Sequence, residues 1–353
     1  MSPQSRGDRL GVVVFQLGGP DSLDAVEPFL FNLFSDPDII DFPFARLARP
    51  TLARLISSRR ARHVEEHYAR IGGKSPIREL TERQACALER ELRESRALDA
   101  RVMVAMRYWH PLTEDAVEQV QRGEFRQLVL LPLYPQYSKT TTGSSLNEWH
   151  RKYSANGNGS LAIKTIHQFY DHPLYLDAVV EKINEGLARF VGESIPSEVS
   201  SAQSASSADR SAEDVHLVFS AHGVPVRVIE AGDPYQEQIE ATVRLVMERG
   251  GWPNPHVLCY QSRVNPGKWL EPSLSETLRR RATFGTKRVL IVPISFVTDH
   301  VETLAEINLE ARTLAYALGV PQFELMPALN DSPTFIRALA ELVLHEVGVE
   351  APK

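Results

Sequence analysis

The chain has 353 residues, 43% hydrophobic and 24% charged, with a formal net charge of −6. This is the composition of an ordinary globular protein of one large or two smaller domains, and its negative balance argues against a nucleic-acid binder. Two cysteines exclude a disulfide framework, a zinc ribbon or a four-cysteine iron–sulfur cluster, no run approaches the roughly 18 apolar residues of a spanning helix, and the start MSPQSRGDRL lacks the apolar centre of a signal peptide, so the cytoplasm is the expected compartment.

Residues 12–17 (VVVFQL) form a short β-branched run, the pattern of a strand buried on both faces. Gly18-Gly19-Pro20 breaks it, and Asp21 or Ser22 is placed to cap a helix through about residue 32. The two glycines lack the spacing of a dinucleotide fingerprint and the Lys of a P-loop. Residues 36–63 interleave apolar side chains with Arg46, Arg49, Arg54, Arg59, Arg60 and Arg62. They suit either a lip over an apolar anionic ligand or membrane surface, or an amphipathic helix packed on the core.

An amphipathic helix is expected over 81–96, then a strand at 101–106 ending in Arg107-Tyr108, and a helix from Thr113 to about 122. A third strand, 127–133, runs into Tyr134–Ser138 and the hydroxyl-rich 140–145, with a helix from about Leu146. A fourth strand at 161–166 and a helix at 174–190 close the first half, and the Ser/Ala-rich stretch 193–214 reads as a disordered loop.

The second half repeats the first. Residues 215–219, 256–260, 288–294 and 323–326 answer the four earlier strands, with Pro132 and Pro293 at matching places, and a helix at 334–347 answers 174–190. The expected fold is α/β: two similar Rossmann-like domains, each a four-stranded parallel sheet flanked by helices, with the active-site cleft between them. The expected division is 1–170 for the first domain with a lip at 36–75, 171–332 for the second, and 333–353 as a C-terminal helix returning to the first.

In open α/β sheets, ligands bind beyond the C-terminal ends of strands. The strand end at 289–294 delivers Phe296, Asp299, His300 and Glu302, and the helix after it carries Glu306 and Glu310 at four-residue steps. His222 closes another strand. One imidazole and one carboxylate with open positions can hold a divalent metal in passing, and a neutral His can instead accept protons. Plainer readings remain beside these: a solvated acidic helix face, His222 capping a turn, His300 bonded to a backbone carbonyl, Arg107 paired with a buried carboxylate. Residues at i and i+8 of a regular α-helix drift by about 80°. If Glu302 and Glu310 line up, the helix must depart from α geometry, as a π segment does.

The strings Phe219-Ser220-Ala221-His222-Gly223-Val224-Pro225 and Gly232-Asp233-Pro234-Tyr235 resemble the signature of ferrochelatases. So do Leu17-Gly18-Gly19-Pro20, Tyr68 with Ile71-Gly72-Gly73 and Ser75-Pro76-Ile77, Ala105-Met106-Arg107-Tyr108, Tyr134–Ser138 with 142–147, and 295–304. The resemblance spans nearly the whole chain in order. It implies insertion of Fe2+ into protoporphyrin IX, bound and distorted in the cleft, giving protohaem and releasing two protons in the last step of haem synthesis.

The resemblance places catalysis and metal handling on His222 and Glu302, and a proton or metal relay on Glu306, Glu310, Asp299 and His300. It places porphyrin contacts on Leu17, Tyr68, Ser75, Arg107, Tyr108, Trp269 and Phe296, with Arg46 and Arg49 suited to the propionates. Iron enters as substrate. No permanently bound cofactor is expected, nor an iron–sulfur cluster, since no cysteine lies near residue 353. Peripheral membrane contact through the 36–63 lip is expected, and no nucleic-acid partner. A coproporphyrin III ferrochelatase and another divalent-metal tetrapyrrole chelatase are the alternatives.

Overall fold

The computed structural model describes residues 9–39, 45–95, 97–153, 161–190, 214–262 and 267–349. Four strands form the first sheet: β1 (Leu10–Gln16), β2 (Ala100–Met106), β3 (Gln127–Pro132) and β4 (Ala162–Thr165). All pair in parallel in the order β2-β1-β3-β4. The second sheet holds β5 (His216–His222), β6 (His256–Gln261), β7 (Arg288–Pro293) and β8 (Gln322–Leu325). It too is parallel throughout, in the order β6-β5-β7-β8. The two orders are the same, so the repeat in the sequence is a repeat of topology.

Burial explains the composition of the strands. Every residue of β1 is buried, as are all but the first of β3 and β7. Helices cover both faces of a parallel sheet, which removes any need for polar alternation. The matched prolines end their strands. Pro132 lies opposite Phe15 and Pro293 opposite Ser220. Neither proline has an N–H to give. In each case the next residue resumes the ladder: Leu133 N–H donates to Phe15 O at 2.9 Å and Ile294 N–H to Ser220 O at 3.0 Å.

The chain divides into two units. The first comprises Met1–Leu174, Val297–Val301 and Asn330–Lys353; the second comprises Tyr175–Phe296 and Glu302–Leu329. The helix Pro333–Val347 belongs to the first and packs against β3 and the helix Ile77–Arg90. Each unit has its own core. Val13, Phe15, Met103, Leu130 and Trp149 meet in the first. Val218, Val289, Ile291, Ile307 and Phe323 meet in the second.

Several helices depart from expectation. The first runs Val26–Phe34 and starts later than a cap at Asp21 or Ser22 would require. Ser22 instead closes a preceding turn, its backbone and hydroxyl oxygens both accepting from Ala25 N–H at 3.3 Å. The helix expected at 81–96 begins at Ile77, directly after Pro76, and passes at Glu91 into a π segment ending at Ser95. The arginine-rich stretch forms one helix, Ala45–Arg70, with Pro50 inside it. Residues 40–44, the side chain of Arg46, Arg263 and residues 193–213 lie outside the described residues. Among the described residues, no helix is long and apolar enough to cross a membrane.

The helix after β7 is a π-helix over Glu302–Ala311, continuing as an α-helix over Arg312–Ala317. Thr303, Ile307, Ala311 and Ala315, spaced strictly by four, are all buried. Bonds from i to i+5 widen the turn, so a four-residue step comes closer to one revolution than in an α-helix. That geometry keeps the buried row on the core, and with it the row Glu302, Glu306, Glu310 alongside. The equivalent place after β3 also opens with a π segment, Lys139–Gly143, before the helix Ser144–Tyr153.

Candidate active site

His222 is the last residue of β5 and Glu302 the first of the π-helix, both in the second unit. His222 Nδ1 lies 2.8 Å from Glu302 Oε2. The backbone around His222 is held firmly. Its N–H donates to Ser295 Oγ at 2.9 Å, and the Tyr235 hydroxyl donates to its carbonyl at 3.0 Å. Gly223 has no choice of residue type, because a Cβ there would lie 2.7 Å from the Gln261 carbonyl oxygen. That close approach keeps the end of β5 against the end of β6. The Phe296 and His222 rings form a T-shaped pair, with centroids 6.3 Å apart at 82°.

The end of β6 adds two residues. Ser220 Oγ donates to Gln261 Oε1 at 2.6 Å, which turns the Gln261 amide nitrogen to Glu302 Oε2 at 3.5 Å. Ser262 Oγ lies 3.1 Å from Glu302 Oε2 and 2.5 Å from Glu306 Oε2. Beyond this cluster a cavity of about 460 Å³ is lined by Ser262, Ser273, Glu276, Glu306 and Glu310 among others.

The electrostatics follow from the crowding. Burial would lower the His222 pKa, but the Glu302 carboxylate, hydrogen-bonded to the ring and seconded by Glu306, raises it above its ordinary 6.5. Burial and the neighbouring Glu302 charge push Glu306 up to about 7, against the Ser262 hydrogen bond and His222, which pull the other way. With Nδ1–H turned to Glu302, neutral His222 keeps its lone pair on Nε2, and its ring is one-third exposed. No group of three or more His, Cys, Asp or Glu side chains among the described residues is arranged to hold a metal ion. The described contact is a pair, one imidazole and one carboxylate.

Phe296 and Trp269 lie beside His222 and Gly223, while other expected site residues belong to the first unit. Asp299 and His300 belong to the first unit. Asp299 exchanges hydrogen bonds with Asn330, its N–H to Asn330 Oδ1 at 3.1 Å and Asn330 Nδ2 to its Oδ2 at 3.0 Å. His300 is buried with Nδ1 3.1 Å from Thr298 O, the plainer of its two readings. Arg107 likewise pairs with a buried carboxylate, its Nη2 lying 2.9 Å from Asp36 Oδ1. Tyr108 is buried, with its hydroxyl donating to Asp36 Oδ2 at 2.6 Å. Tyr68, Ser75 and Trp269 are also buried, whereas Leu17 and Phe296 are partly exposed.

Close packing accounts for Gly19, where a Cβ would stand 2.6 Å from Ser75 Oγ, and a positive φ of 85° accounts for Gly18.

Sequence reasoning missed the roles of Asp36, Ser144 and Ser262. Ser144 Oγ donates to Asp36 Oδ2 at 2.5 Å and accepts from Arg107 Nε at 2.8 Å. Burial would raise the Asp36 pKa, but the Arg107 guanidinium and the Ser144 and Tyr108 hydroxyls bring it below its usual value. Nothing periodic marks these residues; Ser262 offered one signal, its place directly after a strand.

The family model described as Ferrochelatase matches residues 9–347. The ferrochelatase of Geotalea daltonii is 50% identical over 341 residues, covering 97% of this chain and 99% of its own. That of Aquifex aeolicus is 45% identical over 338 residues, covering 96% and 99%. Among solved structures, SirB from Bacillus subtilis with Fe3+ superposes with a TM-score of 0.52 at 12% identity, over 96% of this chain and 95% of that one, which speaks to the fold alone. Its parallel two-sheet architecture, a whole-length family match and relatives at this identity agree: the chain belongs to the ferrochelatase family and is a chelatase enzyme.

Proposed function

We propose that the chain inserts Fe2+ into protoporphyrin IX, giving protohaem and two protons. Family membership carries the coarser statement, metal insertion into a porphyrin for haem synthesis. The choice of porphyrin and the residue roles are our reading. The observation that carries it is the 2.8 Å contact between His222 and Glu302 at adjoining element ends.

Free porphyrin resists metallation because its pyrrole N–H groups point into a flat ring. Distortion on binding turns the nitrogens out of the plane, towards the groups that must meet them. His222 Nε2 accepts a pyrrole proton, and the Glu302 carboxylate at Nδ1 stabilises the imidazolium that forms. Fe2+ accepts nitrogen and oxygen donors, so the same pair can hold it in passing. Glu306 and Glu310 extend the acidic row towards the 460 Å³ cavity, a polar route for ions or protons. Asp299 and His300 support the segment that leads into Glu302.

Porphyrin contact is assigned to Leu17 and Phe296, the partly exposed members of the expected set. For Tyr68, Ser75, Arg107, Tyr108 and Trp269, the resemblance to the family is the support. Iron is substrate, and two cysteines are too few for a cluster held by four thiolates. The arginines of Ala45–Arg70 suit propionates or an anionic membrane surface, and the cytoplasm remains the proposed compartment.

Anaerobic incubation with Fe2+ and either protoporphyrin IX or coproporphyrin III, followed through the haem spectrum, tests the reading. The expected result is rapid haem formation from protoporphyrin. No acceleration over a protein-free control would sink the activity, and faster turnover of coproporphyrin would reassign the substrate.

A further inference from the structure

Ser262 stands at the first position after β6, with φ of +64°. That left-handed conformation is uncommon for a residue with a Cβ and signals a position held by its surroundings. Its hydroxyl reaches two carboxylates on successive steps of the π-helix, Glu302 at 3.1 Å and Glu306 at 2.5 Å. Two carboxylates so close repel one another unless something lies between them. A serine hydroxyl has one proton to donate and lone pairs to accept with. It can satisfy one carboxylate at a time, and the shorter contact marks Glu306 as the acceptor at rest.

We propose that Ser262 is a positioning residue for the divalent metal ion: its hydroxyl holds Glu306 back and so leaves Glu302 turned to His222. Glu302 Oε2 then receives His222 Nδ1 at 2.8 Å with the Gln261 amide at 3.5 Å, while Ser220 Oγ anchors Gln261 at 2.6 Å. The donors surrounding Glu302 come from two neighbouring strand ends and fix one carboxylate orientation. When a cation reaches Glu302, it relieves the repulsion between the carboxylates, and the hydroxyl is free to follow either. Hydrogen-bonding partners of this kind change metal affinity or activity by about 10–100-fold when removed.

This inference rests on the proposed assignment of metal handling to His222 and Glu302. Its test compares steady-state metallation by the wild type with that by Ser262→Ala, Ser262→Gly and Ser262→Asn, varying Fe2+ and porphyrin separately. Glycine suits the left-handed backbone and lacks the hydroxyl, so it separates the side chain from the conformation. Asparagine tolerates that backbone and carries two N–H donors. The expected result is a KM for Fe2+ raised about tenfold in both Ala and Gly variants, an unchanged KM for porphyrin, and recovery in the Asn variant. A wild-type KM for Fe2+ in the Gly variant overturns the inference, as does a porphyrin KM that rises in step with that for Fe2+. An inactive wild type is a different failure, that of the proposed function itself.

Discussion

The ends of β2 and β6 occupy equivalent places in the two repeats and handle charge in opposite ways. Each strand pairs at its last residue with the last of the central strand, Met106 with Gln16 and Gln261 with His222. The next residue is Arg107 in one unit and Ser262 in the other. Arg107 meets Asp36 at 2.9 Å, so a cation and an anion are buried together with hydroxyl donors around them. Ser262 meets Glu302 and Glu306, so a single hydroxyl stands between two acids. One copy uses its strand end for stability. The other keeps an unbalanced cluster, in which Glu306 is pushed up to about 7 and His222 is raised above its ordinary value. The same scaffold supports both because parallel strands aim successive loops at one edge of the sheet, whatever those loops carry.

The largest effect is expected at Asp36. Asp36→Ala strands the Arg107 charge, of which 10% of the side chain is exposed, and is expected to lower unfolding free energy by about 4 kcal/mol. Chemical denaturation showing a loss under about 1 kcal/mol would mean that the pair is merely decorative. The lowered Asp36 pKa has a sign: its contribution is present above the ordinary value of 3.8 and lost as pH falls through the folded value.

Glu302→Gln keeps shape and removes charge. We expect metallation to slow by about a hundredfold or more, with porphyrin binding retained in a fluorescence titration. Porphyrin binding lost together with activity would point to a role in binding instead. Gly223→Ala should cost about 2 kcal/mol, since its Cβ would press on the Gln261 carbonyl and part β5 from β6. Activity should fall with it, because His222 precedes that residue.

The smallest effect is expected at Glu306. Its pKa is raised from 4.5 to about 7, so its burial is harmless in acid and destabilising once it ionises. Glu306→Gln should therefore be more stable than the wild type at pH 8 and no more stable at pH 4, the gain appearing as the pH rises from 4.5 through about 7. Thermal melts across that range decide it, and a gain independent of pH would remove the electrostatic explanation.

Much of the fold could be read directly. The apolar runs 12–17, 127–133 and 288–294 appear as β1, β3 and β7 with small shifts of boundary, because burial on both faces leaves a continuous apolar signal. The fourfold spacing of Glu302, Glu306 and Glu310 implied π geometry only on the condition that the outer two line up, and the helix that carries them is a π-helix from Glu302 to Ala311. Helix starts were less legible. Ser22 has the chemistry of a cap and is used in a turn, since the choice between the two depends on where the following helix packs.

By itself, then, the sequence determined the class of fold, its duplication, the strand-end position of His222 and the acidic row, because each leaves a local or periodic trace. Tertiary structure alone decided which groups face each other. Asp36 and Tyr108 are 72 positions apart, and Ser262 reaches Glu302 and Glu306 across 40 and 44. A polar side chain such as Arg107 or Ser262 reads the same in sequence whether it will meet solvent, a buried acid or a substrate. Its role is set by the low-dielectric neighbourhood that folding assembles around it, where one unpaired charge outweighs any local preference.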